Sequence, residues 1–249
     1  MFSRLSVYLA PMLLCAAAPA LAAGFDDCPQ FFAGKPPSTI AYGQLRELCL
    51  DEYAVLHSGQ SKTPIFVAQR LNARMLNLAK DLKRKDKFRE DARLPEGERS
   101  KLSDYRNSGF SRGHMAAAGD MSTEQGKAQS YLLSNMVPQD IRQNGKAWSQ
   151  IEQDTRSYIR RAKGDVFVIT DPVFSPDLRT VGDGNDDRPE RRTIGESRVW
   201  VPDAVFKMVY DPATGQRWVH LQDNQPSAKA GKPLSYEEFV QRTGIRLLD

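Results

Sequence analysis

The chain has 249 residues, 40% of them hydrophobic and 27% charged, which suffices for one well-packed domain with a small appendage and argues against two. A formal net charge of +4 favours a polyanionic partner only mildly, at a level that exported proteins of many other kinds share. No internal repeat is visible, which excludes a solenoid or propeller.

Met1 to Arg4 carry one positive charge, and the alanine-rich apolar run from Leu5 to Ala22 ends in Ala20-Leu-Ala22. This pattern reads as a secretory signal peptide over residues 1–23 with a small-residue cleavage site, leaving residues 24–249 as a single domain. Pro11 and Pro19 interrupt the run and no cationic stop follows, which weighs against an uncleaved anchor; Leu13-Leu14 ahead of Cys15 do not suit a lipoprotein signal. The expectation is an exported protein, periplasmic or extracellular, with no membrane attachment after cleavage. Removal of the leader leaves Cys28 and Cys49, an even pair that points to one disulfide tethering an N-terminal segment over residues 24–50. A two-cysteine metal site is the lesser reading, because no histidine stands nearby at ligand spacing.

Phe25 to Ser38 read as an irregular lead-in rich in Pro, Gly and Asp. Tyr53 to His57 and Pro64 to Gln69 are short β-type runs around Ser58-Gly-Gln-Ser-Lys62, the pattern of a hairpin. Asn72 to Leu82 carry apolar residues at helical spacing. The charged stretch from Lys80 to Lys101 reads equally well as a solvated face or as an electrostatic track for a nucleic-acid backbone. Ser108 to Ala118 and Tyr131 to Met136 are expected strands, followed by a helix from Asn144 or Gly145 to about Ala162 with Ala147, Trp148, Ile151, Tyr158 and Ile159 as its buried stripe.

Val166 to Thr170 read as a buried strand and Asp171 to Arg192 as a long polar loop. Asp183, Asn185 and Asp187 alternate as in a calcium loop, but the glutamate at the twelfth position is missing and solvation explains them better. Val199 to Val201, Ala204 to Tyr210 and Arg217 to Leu221 are strand-like, the last two joined by a turn over Asp211 to Gly215. Ser235 to Thr243 form a helix capped by Ser235 with Glu238 three residues on, and Gly244 ends it.

The chemistry concentrates in Ser108-Gly-Phe-Ser-Arg-Gly-His114 and the segment from Leu133 to Arg156. A neutral histidine can take a proton from water near neutral pH, and His114 is the candidate. Arg112 can fork two N–H donors onto a phosphate. In a strand, residues two apart share a face, so Arg112 and His114 emerge side by side, while Gly113 leaves the opposite face open to close packing. Asn144, Glu152 and Arg156 keep to multiples of four and lie within a limited arc of one helix. His57 and His220 have no partners at motif spacing and read as structural.

Ser111-Arg-Gly-His114, Ser134-Asn-Met-Val-Pro-Gln139 and Asn144 to Trp148 together resemble the DNA/RNA non-specific endonucleases of the ββα-metal type. The resemblance extends upstream to Thr63 to Arg70 and downstream to Val201 to Lys207. It implies an α+β fold, a mostly antiparallel β-sheet core flanked by helices, with a ββα-metal catalytic unit. It further implies an Mg²⁺-dependent hydrolysis of DNA and RNA that leaves 5′-phosphates, with Mn²⁺ as a substitute ion. In that reading His114 is the general base, Asn144 the direct metal ligand, Glu152 a ligand through an intervening water, and Arg112 and Arg156 phosphate clamps. Asn135 orients the site around His114, and Arg84 or Arg89 supplies a further phosphate contact. A homodimer and a protein inhibitor remain open as partners.

The residues alone allow blander roles: Asn144 as a helix N-cap, Glu152 and Arg156 as a surface i,i+4 pair, and Asn135 as a turn or β-edge amide. Two departures stand out. The family usually has Asp where this chain has Ser111, and Pro where it runs Met115-Ala-Ala-Ala118. The first motivates a rival reading, a catalytically weakened relative that binds nucleic acid without cutting it.

Overall fold

The computed structural model describes residues 24–38, 43–83, 87–174 and 191–248. The leader (1–23), Arg84 and the Asp183, Asn185 and Asp187 alternation lie outside the described residues.

The fold is α+β. Strands β1 (Leu45–Cys49), β2 (Ala54–Ser58) and β3 (Thr63–Leu71) form an antiparallel meander, followed by helix α1 (Ala73–Asp81), whose N-cap Asn72 accepts from Met75 N. The hairpin expected around Ser58 to Lys62 is thus present. After the short helix α2 (Leu102–Tyr105) come β4 (Phe110–His114), α3 (Glu124–Ser130), β5 (Met136–Asp140) and α4 (Ser149–Ile159). The chain returns through β6 (Val166–Val173), the small pair β7 (Thr193–Ile194) and β8 (Val199–Trp200), then β9 (Ala204–Asp211), β10 (Gln216–Asp223), β11 (Leu234–Ser235) and α5 (Tyr236–Thr243).

Seven strands make one sheet in the order β1-β2-β3-β6-β9-β10-β11, every pairing antiparallel. Strand side chains alternate between faces, and both faces are covered, which is why β3 and β9 read as nearly continuous apolar runs. On one face Phe25, Phe31 and Phe32 of the lead-in and Tyr236 and Phe239 of α5 pack on Phe66, Phe206 and Met208. On the other, Val55, Val67 and Val205 meet Met115, Val137, Trp148 and Ile151, which come from the β4-β5-α4 unit. The sheet is therefore the rigid backing of that unit. The lead-in is fastened by the Cys28–Cys49 disulfide and by Phe25 N donating to Glu47 Oε2 at 2.7 Å.

Several expected boundaries are corrected, the first being that of β4, which spans Phe110–His114 and not Ser108 to Ala118. The second strand of the unit is Met136–Asp140, not Tyr131 to Met136, and Leu133–Asn135 wind into a 3₁₀ turn. Pro138 is tolerated inside it because β5 has a ladder partner on one side only. The helix begins at Ile141, because the Asp140 carboxylate accepts from the backbone N–H groups of Arg142 and Gln143 at 2.8 and 3.0 Å. It then widens into a π-helical turn over Gln143–Trp148 before continuing as α4, which ends at Ile159, not Ala162. Asn144 is consequently inside the helix and is no N-cap. Finally, Asp171 to Val173 prolong β6 instead of opening the loop. The capped C-terminal helix is as expected: Ser235 Oγ accepts from Glu238 N, and Gly244 closes it at φ 73°.

His57 lies on β2, fully buried, with Nε2 2.9 Å from the Glu98 carbonyl oxygen. Burial pushes its pKa down to about 4, against the tendency of the Glu98 carbonyl to raise it. The unfolded chain takes up this proton near the ordinary value of about 6.5. Between those pH values the unfolded state therefore holds more protons, and stability falls as pH drops through the window. Urea denaturation from pH 7 to pH 4 should show a loss of up to about 3 kcal/mol from this group. His57→Gln should have a correspondingly flatter dependence; an unchanged slope in that variant would refute the assignment.

Candidate active site

Strands β4 and β5 pair from Phe110↔Asp140 to His114↔Met136 and carry Arg112 and His114 on one face. The helix that follows β5 folds back across the ribbon and brings Asn144, Glu152 and Arg156 to the same cleft, a cavity of about 410 Å³ that Arg112, His114 and Lys127 also line.

The fit of the Gln139 side chain of β5 against the β4 backbone depends on Gly113. A Cβ at that position would lie 1.7 Å from Gln139 Oε1, well inside contact distance. Gln139 is fully buried and donates to Gln143 Oε1 at 2.9 Å; Gln143 donates to Gln222 Oε1 at 2.8 Å, and Gln222 to the Lys229 carbonyl at 3.2 Å. This chain of amides ties β5, the first residue of the π turn and β10 together. The next residue, Asn144, donates from Nδ2 to Ser111 Oγ at 2.9 Å, and that hydroxyl donates to the Gln139 carbonyl at 3.0 Å. The amide nitrogen is thereby committed to the strand, and the carbonyl oxygen is the end of the side chain offered to the cleft. Ser111 thus accepts from Asn144 at the position where the resemblance leads one to expect an aspartate.

His114 is half-buried, with Tyr131 edge-on at 5.2 Å and Phe88 at 5.6 Å between ring centroids. Arg112 lays its guanidinium over the same Phe88 ring, 4.2 Å from the centroid, a cation–π contact that fixes the planar fork. Arg156 donates from Nη1 to Asp120 Oδ1 at 3.0 Å, which gives it a buried carboxylate partner on another element. Burial would lower the pKa of this guanidinium, but Asp120 and then Glu152 outweigh it and hold the value above the ordinary one. Arg156 stays charged and its orientation is set.

Two expected residues take other places. Asn135 is fully buried and does not line the cleft: Oδ1 accepts from Ala116 N at 2.8 Å, and Nδ2 donates to the carbonyls of Ala116 and Ser130 at 2.9 Å each. It clamps the backbone just beyond His114, a positioning role. Arg89 turns away, donating to the Ala128 carbonyl at 2.7 Å and facing a separate hollow shared with Arg93 and Gln129.

Sequence reasoning missed Asp120, Phe88, Lys127 and Lys207. Lys127 is buried at the cleft, with Nζ 2.7 Å from the Leu82 carbonyl oxygen. Lys207 lies beneath it, donating to Thr170 Oγ1 at 2.7 Å, 5.4 Å from the Trp148 ring centroid. Burial pushes the Lys207 ammonium down, while Glu152 and Asp120 oppose that shift. The only trace of Lys207 in the sequence is a cation between Phe206 and Met208 in a run otherwise apolar.

Oxygen donors at Asn144 and Glu152 are what this cleft offers a metal ion, and among the described residues no group of three His, Cys, Asp or Glu could hold one. That donor set suits a hard divalent cation that keeps most of its waters and does not suit a structural zinc site.

The sequence model of the DNA/RNA non-specific endonuclease family matches residues 36–243. The chain is similar to the mitochondrial nuclease EXOG of Danio rerio, 35% identical over 149 residues, covering 59% of this chain and 42% of the relative. It is 30% identical to the mitochondrial endonuclease G of Homo sapiens over 191 residues, 76% of this chain and 63% of the relative. With the endonuclease G of Bos taurus it shares 31% identity over 228 residues, 89% and 74%. The chain thus spans less than two thirds of the first two relatives' length. A solved structure described as "Crystal structure of the EndoG/EndoGI complex: Mechanism of EndoG inhibition" superposes with a TM-score of 0.73 at 23% identity, over 94% of this chain and 92% of that one, which shows a shared fold.

Gly113→Ala should force Gln139 out of its place and cost about 1 to 3 kcal/mol of stability. Equilibrium denaturation beside wild type measures it, and an unchanged midpoint would contradict the close-packing account.

Proposed function

The chain belongs to the DNA/RNA non-specific endonuclease family, and from that premise we propose that it is an exported, divalent-metal-dependent hydrolase of phosphodiester bonds in DNA and RNA. The observation that carries the reading is the convergence, on one cleft, of Arg112 and His114 from β4 with Asn144, Glu152 and Arg156 from the helix.

His114, as neutral imidazole, takes the proton of the water that attacks phosphorus. Arg112 and Arg156, each pre-oriented by Phe88 and Asp120 respectively, donate to the non-bridging oxygens as charge accumulates on them. Asn144, with Glu152 behind it, would hold Mg²⁺ or Mn²⁺, which would supply Lewis-acid stabilisation of the developing negative charge. Departure of the 3′ oxygen leaves a 5′-phosphate. Because these side chains address phosphate and neither sugar nor base, both nucleic acids are substrates with little sequence preference.

The hydrogen bond from Asn144 to Ser111 supports catalysis over the binding-only alternative: a hydroxyl supplies the acceptor that holds the amide. The neighbouring EndoG structure is an inhibitor complex, and a protein inhibitor that covers this cleft belongs to the same proposal.

Mature protein should digest plasmid DNA and RNA in Mg²⁺ and stop on addition of EDTA. His114→Ala and Asn144→Ala should each lower kcat by about 10² to 10⁴; a His114→Ala protein that cuts at the wild-type rate would defeat the assignment. The full-length chain should lose residues 1–23 on export, which N-terminal sequencing of the secreted product checks. A product still beginning at Met1 would contradict that part.

A further inference from the structure

Beside the catalytic cleft lies a second hollow of about 530 Å³, bordered by Phe88, Leu102, Tyr105, Arg106 and Phe110. It shares Phe88, Arg112 and Asn144 with the cleft, so the two compartments are continuous and the guanidinium of Arg112 on the Phe88 ring forms the partition. We infer that this hollow is a stacking subsite for the nucleobase next to the cleaved phosphate, and that it takes that base only when it is unpaired. The inference rests on the nuclease reading above and specifies its substrate.

The walls fit a flat heteroaromatic ring joined to a phosphate. Leu102 and Phe110 present apolar surface: Leu102 is 37% exposed, and Phe110 is only half-buried although it starts a strand that packs on the domain. Buried Tyr105 closes the floor, and exposed Arg106 stands at the rim, able to meet a neighbouring phosphate. The shape is preformed. The turn from Arg106 to Gly109 uses positive φ at Asn107 (56°) and Gly109 (82°). Ser108 Oγ braces it by donating to the Tyr105 carbonyl at 3.0 Å and accepting from Phe110 N at 3.2 Å.

A nucleic-acid strand whose phosphate sits on Arg112 reaches the hollow with the nucleotide on one side of that phosphate. Every base has a π-face, so stacking there adds affinity without reading sequence. A base still paired in a duplex cannot enter, because its faces are already covered by its neighbours. The hollow therefore favours single-stranded DNA and RNA over duplex DNA.

The test uses end-labelled single-stranded oligonucleotides in which one abasic residue is walked along the strand. Cleavage by wild type, Leu102→Ala and Phe110→Ala is measured bond by bond, with duplex plasmid nicking as the reference. In wild type, an abasic residue at one fixed position beside a linkage should lower kcat/KM there about tenfold. Both variants should be about tenfold slower on the intact strand, lose nothing more on the abasic one, and nick the plasmid at the wild-type rate. An abasic penalty of the same size in wild type and in exposed Leu102→Ala, or no penalty at any position, overturns the subsite. Wild type that cuts neither substrate removes the nuclease reading itself, a separate failure.

Discussion

The contact on which the site depends is between an atom group that is missing and one that is buried. Gly113 has no side chain, so the amide of Gln139 lies against the β4 backbone. From there the amide chain through Gln143 to Gln222 holds the helix at one height above the ribbon. The π-helical turn begins at Gln143. Its extra residue per turn changes which side chains face the strand, and Asn144 meets Ser111. A buried unsatisfied amide costs about 1 to 3 kcal/mol, so breaking one link exposes the remainder to that cost. Each link of the glutamine chain thus helps to hold the next in place.

Charge is arranged with the same economy of motion. Arg156 is fixed by Asp120, Arg112 by the Phe88 ring, and Lys127 by the Leu82 carbonyl, each partner coming from a different stretch of chain. In the proposed reaction, cations that are already oriented need not be organised when phosphate arrives, and such preorganisation is where electrostatic catalysis gains most. Behind them lies the seven-stranded sheet, with the Lys207 side-chain nitrogen 5.4 Å from the Trp148 ring centroid and near Glu152 and Asp120.

How much of this was legible in the sequence follows from the range of the forces involved. Local signals were reliable: the β2-β3 hairpin, the Ser235 cap and the Cys28 and Cys49 pair are each decided within a few residues or by a simple count. Arg112 and His114 were placed on one face by the two-residue period of a strand. The start of the catalytic helix was misread because Asp140, not Asn144, supplies the capping oxygen, and a π turn leaves no mark on a 3.6-residue pattern. Phe88 was hidden in a stretch that looks like solvated charge. Asp120, Lys127 and Lys207 act through partners 36, 45 and 37 residues away, a pairing that no spacing rule reveals. Asn135, expected to orient the site around His114, spends its side chain on the backbone of Ala116 and Ser130 and does not itself line the cleft.

The aromatic lead-in, Phe25, Phe31 and Phe32, packs on the face of the sheet remote from the chemistry, and a covalent link across a separation of 21 residues helps to hold it there. A loop of that size, once closed, is worth about 3 kcal/mol against the open chain, or roughly a hundredfold in the folded-to-unfolded ratio. The bond between two sulfur atoms on the back of the molecule therefore adds to the stability of the same sheet that carries the cleft on its other side.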